Sequence, residues 1–375
     1  MAASEIQTKL NRLSEFLSRH NLDGVLLGHR ANFAWITCGK DNYIPSNSQN
    51  GVAAILATAR ERICFTNTIE SPRFAQEELA GTGIEVVAHP WHDAAAGRKA
   101  LAKLIAGRRI AADVTDTGEF DRLSAGLQRL PEDFVQLRWS LTPAEIRRYR
   151  QGGRLASSAI ESACRKILPN MTEHQIAGIL DEQVRACGLL PVVTLVAADE
   201  RLEKFRHPIP TDLRVQRYCM LVSCASLGGL ISNITRLVSF VPLTARLKKR
   251  QQAVCNVDAA VNLSTRPGRT LGEMFNVIQK AYADNGFAGE WANHHQGGST
   301  GYAGREAFAV PGLSTSVLQN QAFAWNPSIA GVKSEDTMLC TAEGIEFLTS
   351  PSAQWPKIHA KFGKQTLERA DILVR

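Results

Sequence analysis

The chain has 375 residues, 44% of them hydrophobic and 21% charged, with 28 glycines and 15 prolines. That much apolar material excludes disorder, because enough surface can be buried to offset the ordering entropy, and at ~100–200 residues per domain it predicts about two domains. A net charge of +7 invites a nucleic-acid reading, but the basic residues are spaced by acids and apolar residues without a zinc-finger or RNP-type pattern; a solvated face, or attraction for small carboxylates, accounts for them.

The longest apolar stretches, 51–59 and 189–198, fall far short of the ~18–20 residues that a membrane span needs. Residues 1–20 are amphipathic and mixed in charge, with no apolar core of a secretory signal. The eight cysteines are scattered without a CxxC, which predicts free thiols and a reducing compartment. A soluble, cytoplasmic protein without membrane or nucleic-acid partners is expected.

In chain order, residues 4–19 place Ile6, Leu10, Leu13, Phe16 and Leu17 on one face of a helix. Strands are predicted at 25–27, 51–57, 62–65, 84–88 and 110–113, the second and third as a hairpin, with helices at 98–106 and 119–130. This is an α/β domain, residues 1–139. A boundary follows at Thr142-Pro143-Ala144-Glu145, where an N-cap threonine, a proline at the first helical position and a glutamate at the third compose a capping box. Helices are predicted at 143–167, from 171 to about 188, 243–263 and 271–285. Strands are predicted at 192–197, 218–225, 230–240, 322–325, 337–341 and 345–348. The pattern makes 140–375 an α+β domain.

Several phrases resemble, in order, those of the pita-bread family of methionine aminopeptidase, prolidase, aminopeptidase P and creatinase. Asn32-Phe33-Ala34-Trp35 is similar to a segment of the creatinase-type N-terminal domain. Leu141–Ile146, Pro169-Asn170-Met171-Thr172-Glu173, Arg206-His207-Pro208, Ser232-Asn233-Ile234-Thr235-Arg236, Phe323–Pro327 and Lys333-Ser334-Glu335-Asp336-Thr337 resemble segments of the catalytic domain. The resemblance implies an α/β creatinase-like N-terminal domain followed by an α+β pita-bread C-terminal domain.

Peptidases of that family bind two metals through two Asp, one His and two Glu. The matching positions here are Ser223 (to within one residue, since the loop to Asn233 is shortened), Asn233, Gly298, Asn326 and Glu335. Four of the five ligands are gone, and with them the anionic oxygens that hold hard or borderline cations. No metal or other cofactor is therefore expected at the family position. His294, His295, Glu306, Glu335 and Asp336 are ligand types for a relocated single-metal site. If His294 and His295 lie in a strand, however, their side chains point to opposite faces.

Creatinase works without metal, and His207 falls where its acid/base histidine sits; Glu335 matches one of its glutamates, while Thr235 replaces another. A neutral imidazole near its ordinary pKa both takes and gives a proton at neutral pH. The run from Trp291 to Tyr302, with two His, a Gln and Gly297, Gly298 and Gly301, suggests backbone and polar side chains brought close to a ligand. Arg305 offers a planar clamp for a carboxylate.

The leading expectation is thus a metal-independent, creatinase-like hydrolase of a C–N bond, amidino or amide, in a small carboxylate-bearing substrate. His207, Glu335 and Glu306 would be catalytic, and His294, His295, Arg305, Asn326, Asn233 and Tyr302 would bind substrate. A homodimer is implied by the resemblance. The alternatives are an Xaa-Pro peptidase with a rebuilt metal site and a non-catalytic pita-bread binding module.

Overall fold

The structure, a computed structural model, describes residues 2–113 and 127–375. It divides into two compact units: Met1–Arg138 with Thr142–Glu145, and Trp139–Leu141 with Ile146–Arg375.

The first unit is built on a six-stranded mixed sheet in the order Glu85–His89, Arg62–Asn67, Asn50–Ala57, Gly24–His29, Ile110–Ala112, Gln128–Arg129. The hairpin expected at 51–65 forms, with Ala57 opposite Arg62. Helix Ala2–His20 buries Leu13, Phe16 and Leu17. It also buries Lys9, whose ammonium lies 2.8 Å from Glu5, 2.9 Å from Glu145 and 2.7 Å from the Trp35 carbonyl. Such a cation is tolerable inside only because two carboxylates and a carbonyl replace its water. The helix expected at 119–130 falls largely on residues 114–126, outside the described ones; at its end, Gln128–Arg129 is a strand rather than a helix.

Helix Pro143–Lys166, which belongs to the second unit from Ile146 on, starts as its capping residues dictate. The Thr142 amide donates to Glu145 Oε2 at 2.7 Å and the Glu145 amide to Thr142 Oγ1 at 3.3 Å. Helices Glu173–Ala186 and Leu271–Asp284 carry full capping boxes at Thr172/Gln175 and Thr270/Glu273. Two sheets form the centre. One runs Leu373–Val374, Leu230–Ser239, Tyr218–Leu227, Leu190–Ala198; the other runs Ala307–Phe308, Gly297–Thr300, Gln321–Trp325, Asp336–Cys340, Ile345–Phe347. They meet where the Asn233 amide donates to Thr337 Oγ1 at 2.7 Å and the Thr235 amide to the Glu335 carbonyl at 3.2 Å. A C-terminal hairpin, Lys357–Phe362 with Gln365–Ala370, completes the unit.

A buried ionic network braces these sheets against the hairpin and helix Ala245–Ser264. Asp336 accepts from Arg236 at 3.0 Å, from Arg369 at 3.0 Å and from Thr349 at 2.8 Å. Arg369 also pairs with Asp258, which accepts from Ser334 Oγ at 2.8 Å. Asp336 is therefore a structural residue and not the metal-ligand type that its position suggested. Removing one partner strands buried charge, so Arg369→Leu should cost about 3–5 kcal/mol in a urea titration; a loss under ~1 kcal/mol, the range of an exposed ion pair, would show that water reaches this network.

Candidate functional site

Three histidines converge in the second unit. His207 lies on the segment between the short helix Arg201–Lys204 and strand Tyr218–Leu227, and is exposed. His294 is the C-cap of the 3-10 helix Glu290–Asn293, in extended backbone, and is buried; His295 is half-buried. The Nε2 atoms of His294 and His207 are 3.2 Å apart. The ring centroids of His294 and His295 are 4.5 Å apart, and those of His207 and His295 5.4 Å. The strand alternation that would split His294 from His295 does not apply: strand Gly297–Thr300 begins only after them. Ser328 Oγ lies 3.2 Å from His294 Nδ1, and the Gly297 amide donates to His295 Nδ1 at 3.3 Å. Phe308, 46% exposed, stands edge-on to the His295 ring at 4.9 Å.

Burial and the Lys333 charge push the His294 pKa down to about 2; burial, then Arg305, His207 and Lys333, lower His295 to about 4. His207 is lowered too, by burial and then Lys333. All three rings are neutral at pH 7, each with one nitrogen lone pair; that of His295 lies on Nδ1, where it accepts the Gly297 amide.

Glu335 lies beneath this cluster in charge terms and is 3% exposed. It accepts from Lys333 Nζ at 2.6 Å, Arg305 at 3.0 Å and Thr235 Oγ1 at 2.7 Å. Burial alone would raise its pKa, but Lys333 and Arg305 overcome that and hold it at about 2. Lys333, 4% exposed, was not singled out in the sequence. Its spacing of two from Glu335 across an extended segment, which puts both on one face, was the available signal.

The other expected site residues have different employment. Glu306 Oε1 accepts the Tyr302 and Ala303 amides at 3.1 Å each, which ties its carboxylate to the turn. Tyr302 Oη accepts from Arg148 at 3.1 Å. Arg305, the expected clamp for substrate, is committed to Glu335 and to the Gly304 carbonyl at 2.6 Å, while its Nε has no partner among the described residues. Asn233 donates to Thr300 Oγ1 at 3.0 Å and accepts from the Cys224 thiol at 3.0 Å. Strand register sets Cys224, not Ser223, opposite Asn233. Asn326 is 2% exposed, and its side-chain oxygen has no partner among the described residues. Arg206 pairs with Glu290, Arg201 with Glu173, and Asp199 accepts the amides of residues 216–218.

The glycine run is a matter of strand packing. Gly297 has φ +92°, and a Cβ there would meet the Ala324 carbonyl oxygen at 2.2 Å; at Gly298, φ +155°, it would meet that of Ala307 at 2.0 Å. Only glycine permits this approach of three strands. The expectation that these glycines bring backbone close to a ligand gives way to that finding. A polar groove of about 570 Å³ lined by Arg154, Glu161, Arg165 and Ser352 shares no residue with the histidine cluster.

Residues 147–342 match the profile described as metallopeptidase family M24, and residues 9–148 that of the creatinase/prolidase N-terminal domain. The chain belongs to metallopeptidase family M24. It is 25% identical over 216 residues to an Xaa-Pro dipeptidase of Pyrococcus horikoshii, a match covering 55% of this chain and 61% of that protein. It thus spans about three fifths of that relative's length. In fold it is similar to the prolidase from Pyrococcus horikoshii OT3 (TM-score 0.77, 20% identity, 92% of this chain and 99% of that one). It is likewise similar to the X-Pro aminopeptidase from Thermotoga maritima MSB8 (TM-score 0.75, 20% identity, 91% and 97%). The architecture is therefore a creatinase-type N-terminal domain followed by a pita-bread domain.

The two-metal centre that the fold family implies does not fit these residues. Glu335, the one retained ligand, has both oxygens occupied by cations and a hydroxyl. Burial pushes the Cys224 thiol up to about 12, so it is neutral, and Asn233 beside it is neutral by nature. The space for a side chain at position 298 is filled by the Ala307 carbonyl. No step is routed through that pair.

Because the folded Glu335 pKa is depressed, its contribution is present above the unfolded value of 4.5 and lost as pH falls through about 2. Glu335→Gln should cost about 3 kcal/mol at neutral pH. Urea midpoints followed from neutral pH toward about pH 3 should show the gap to the parent protein narrowing only below about pH 4.5. A gap that does not change with pH would mean that the cations do not hold this carboxylate.

Proposed function

We propose that this chain hydrolyses the amide C–N bond of small, carboxylate-bearing peptides, with Xaa-Pro dipeptides as the foremost class. The observation that carries the reading is the convergence of three neutral imidazoles beside a buried Lys333–Glu335–Arg305 charge group, in a chain of the M24 family. The names of its relatives support the Xaa-Pro class over the amidino substrates of the creatinase-like expectation.

His207 is the exposed member of the cluster, the ring that water and substrate reach. Held neutral, it accepts a proton from an attacking water and returns it to the leaving nitrogen, a contribution of roughly 10²–10⁴-fold. His294, fixed by Ser328, positions it through the 3.2 Å contact. Lys333 and Arg305 carry two positive charges against one on Glu335. The surplus suits a substrate carboxylate or the oxyanion that develops at the carbonyl. Phe308 supplies an apolar wall for a side chain or a proline ring.

The test is a panel of Xaa-Pro dipeptides, their C-terminal amides and creatine. Turnover of the free dipeptides, lost on amidation and reduced roughly 10²–10⁴-fold in His207→Ala, is expected. Creatine turnover without dipeptide turnover would restore the amidino reading. Binding of peptides without turnover, indifferent to His207→Ala, would make this a binding module.

A further inference from the structure

The ligand-capable nitrogens of His207, His294 and His295 all lie within 4.8 Å of one another. A tetrahedral ion with metal–nitrogen bonds of ~2.0–2.1 Å needs its nitrogens about 3.3–3.4 Å apart. The Nε2 pair of His207 and His294 is at 3.2 Å already. The two sides that involve His295 are each within 4.8 Å, so a shift of at most about 1.5 Å closes them; coordination by His295 displaces the Gly297 amide from its Nδ1, and His207 sits on an exposed segment outside helix and strand, where a shift is least costly.

We propose that His207, His294 and His295 form a single-metal site for a borderline transition ion such as Zn²⁺ or Co²⁺, distinct from the two-metal position of the fold. Imidazole nitrogen suits these ions, and the cluster contains no carboxylate, so Mg²⁺, Ca²⁺ and Mn²⁺ are disfavoured. Three protein nitrogens leave a fourth tetrahedral position open, the arrangement of sites that handle water or substrate rather than of closed structural sites. Ser328 Oγ at 3.2 Å from His294 Nδ1 is placed as the outer partner that sets the ring's tautomer and leaves Nε2 for the ion. The cations that act on the cluster, Lys333 and Arg305, are held by Glu335 at 2.6 Å and 3.0 Å, so their charge is directed to that carboxylate. The sequence pattern alone separates His294 from His295; the 3-10 helix Glu290–Asn293 ending at His294 is what brings both to one point.

The proposal concerns metal binding and stands apart from the dipeptidase reading, in which His207 is the base; in the loaded protein His207 becomes a ligand. The test uses the full chain without a histidine tag, titrated with Zn²⁺ by calorimetry and with Co²⁺ by visible absorption. About one equivalent of Co²⁺ with the intense bands of a tetrahedral nitrogen-rich site is expected. Affinity should fall by more than about 100-fold in His294→Ala and in His207→Ala, and stay unchanged in His359→Ala, an exposed histidine of the C-terminal hairpin. His207, being exposed, gives a variant that folds even if His294→Ala does not. Absence of uptake at tens of micromolar metal, or uptake undiminished in the folded His207 variant, would overturn the site. Metal uptake without dipeptide turnover would keep the site and sink the substrate reading; turnover unaffected by metal, with no uptake, would do the reverse.

Discussion

A carboxylate shut away from water has to be neutralised, and the way Glu335 is neutralised governs the site around it. In the resemblance from which its role was first read, that position belongs to a pair of metal ions. Here an ammonium and a guanidinium take over, supplied by the same strand segment and by the turn after Gly304. The exchange is complete in electrostatic terms: once both oxygens are engaged, a cation arriving at the old position finds no free anion. Burial first, and then this positive charge, hold the pKa values of the three histidines below the ordinary imidazole value.

The division of labour among acids follows from the same rule. Glu335 and Asp336 are consecutive, yet one serves the site and the other the framework. Asp336 leads strand Asp336–Cys340 and faces Arg236 and Arg369, while Glu335 turns to Lys333 and Arg305. Neighbours in extended backbone point apart, so a two-residue phrase addresses two different networks.

Elements announced by local chemistry were legible in the sequence. The capped helices are of this kind, since Thr142 with Glu145 and Thr172 with Gln175 state their own starting points. The hairpin Lys357–Phe362 and Gln365–Ala370 was missed although its first strand alternates Ile358, Ala360 and Phe362 with polar residues; its hold on the body comes from Ile358, Ala360 and Leu367 against the core and from Arg369, a charged residue that sequence reasoning places on the surface. At the site, the residue types were visible but their company was not. Glu306 looks like an acid for catalysis and is a turn-maker. Lys333 stood inside a quoted phrase without being noticed, since its role appears only once Glu335 is known to be buried beside it. His294 and His295 would be split only within a strand, and the strand begins at Gly297.

The closeness of strands at Gly298 limits what that position can hold. With the Ala307 carbonyl 2.0 Å from where a Cβ would be, no side chain fits at the position where the resemblance implies a metal-binding histidine. Restoring acids at 224, 233 and 326 would rebuild most of the lost charge and still leave that wall in place. Reversal would need the pairing between Gly297–Thr300 and Ala307–Phe308 to be redrawn, a change of backbone that no single substitution supplies.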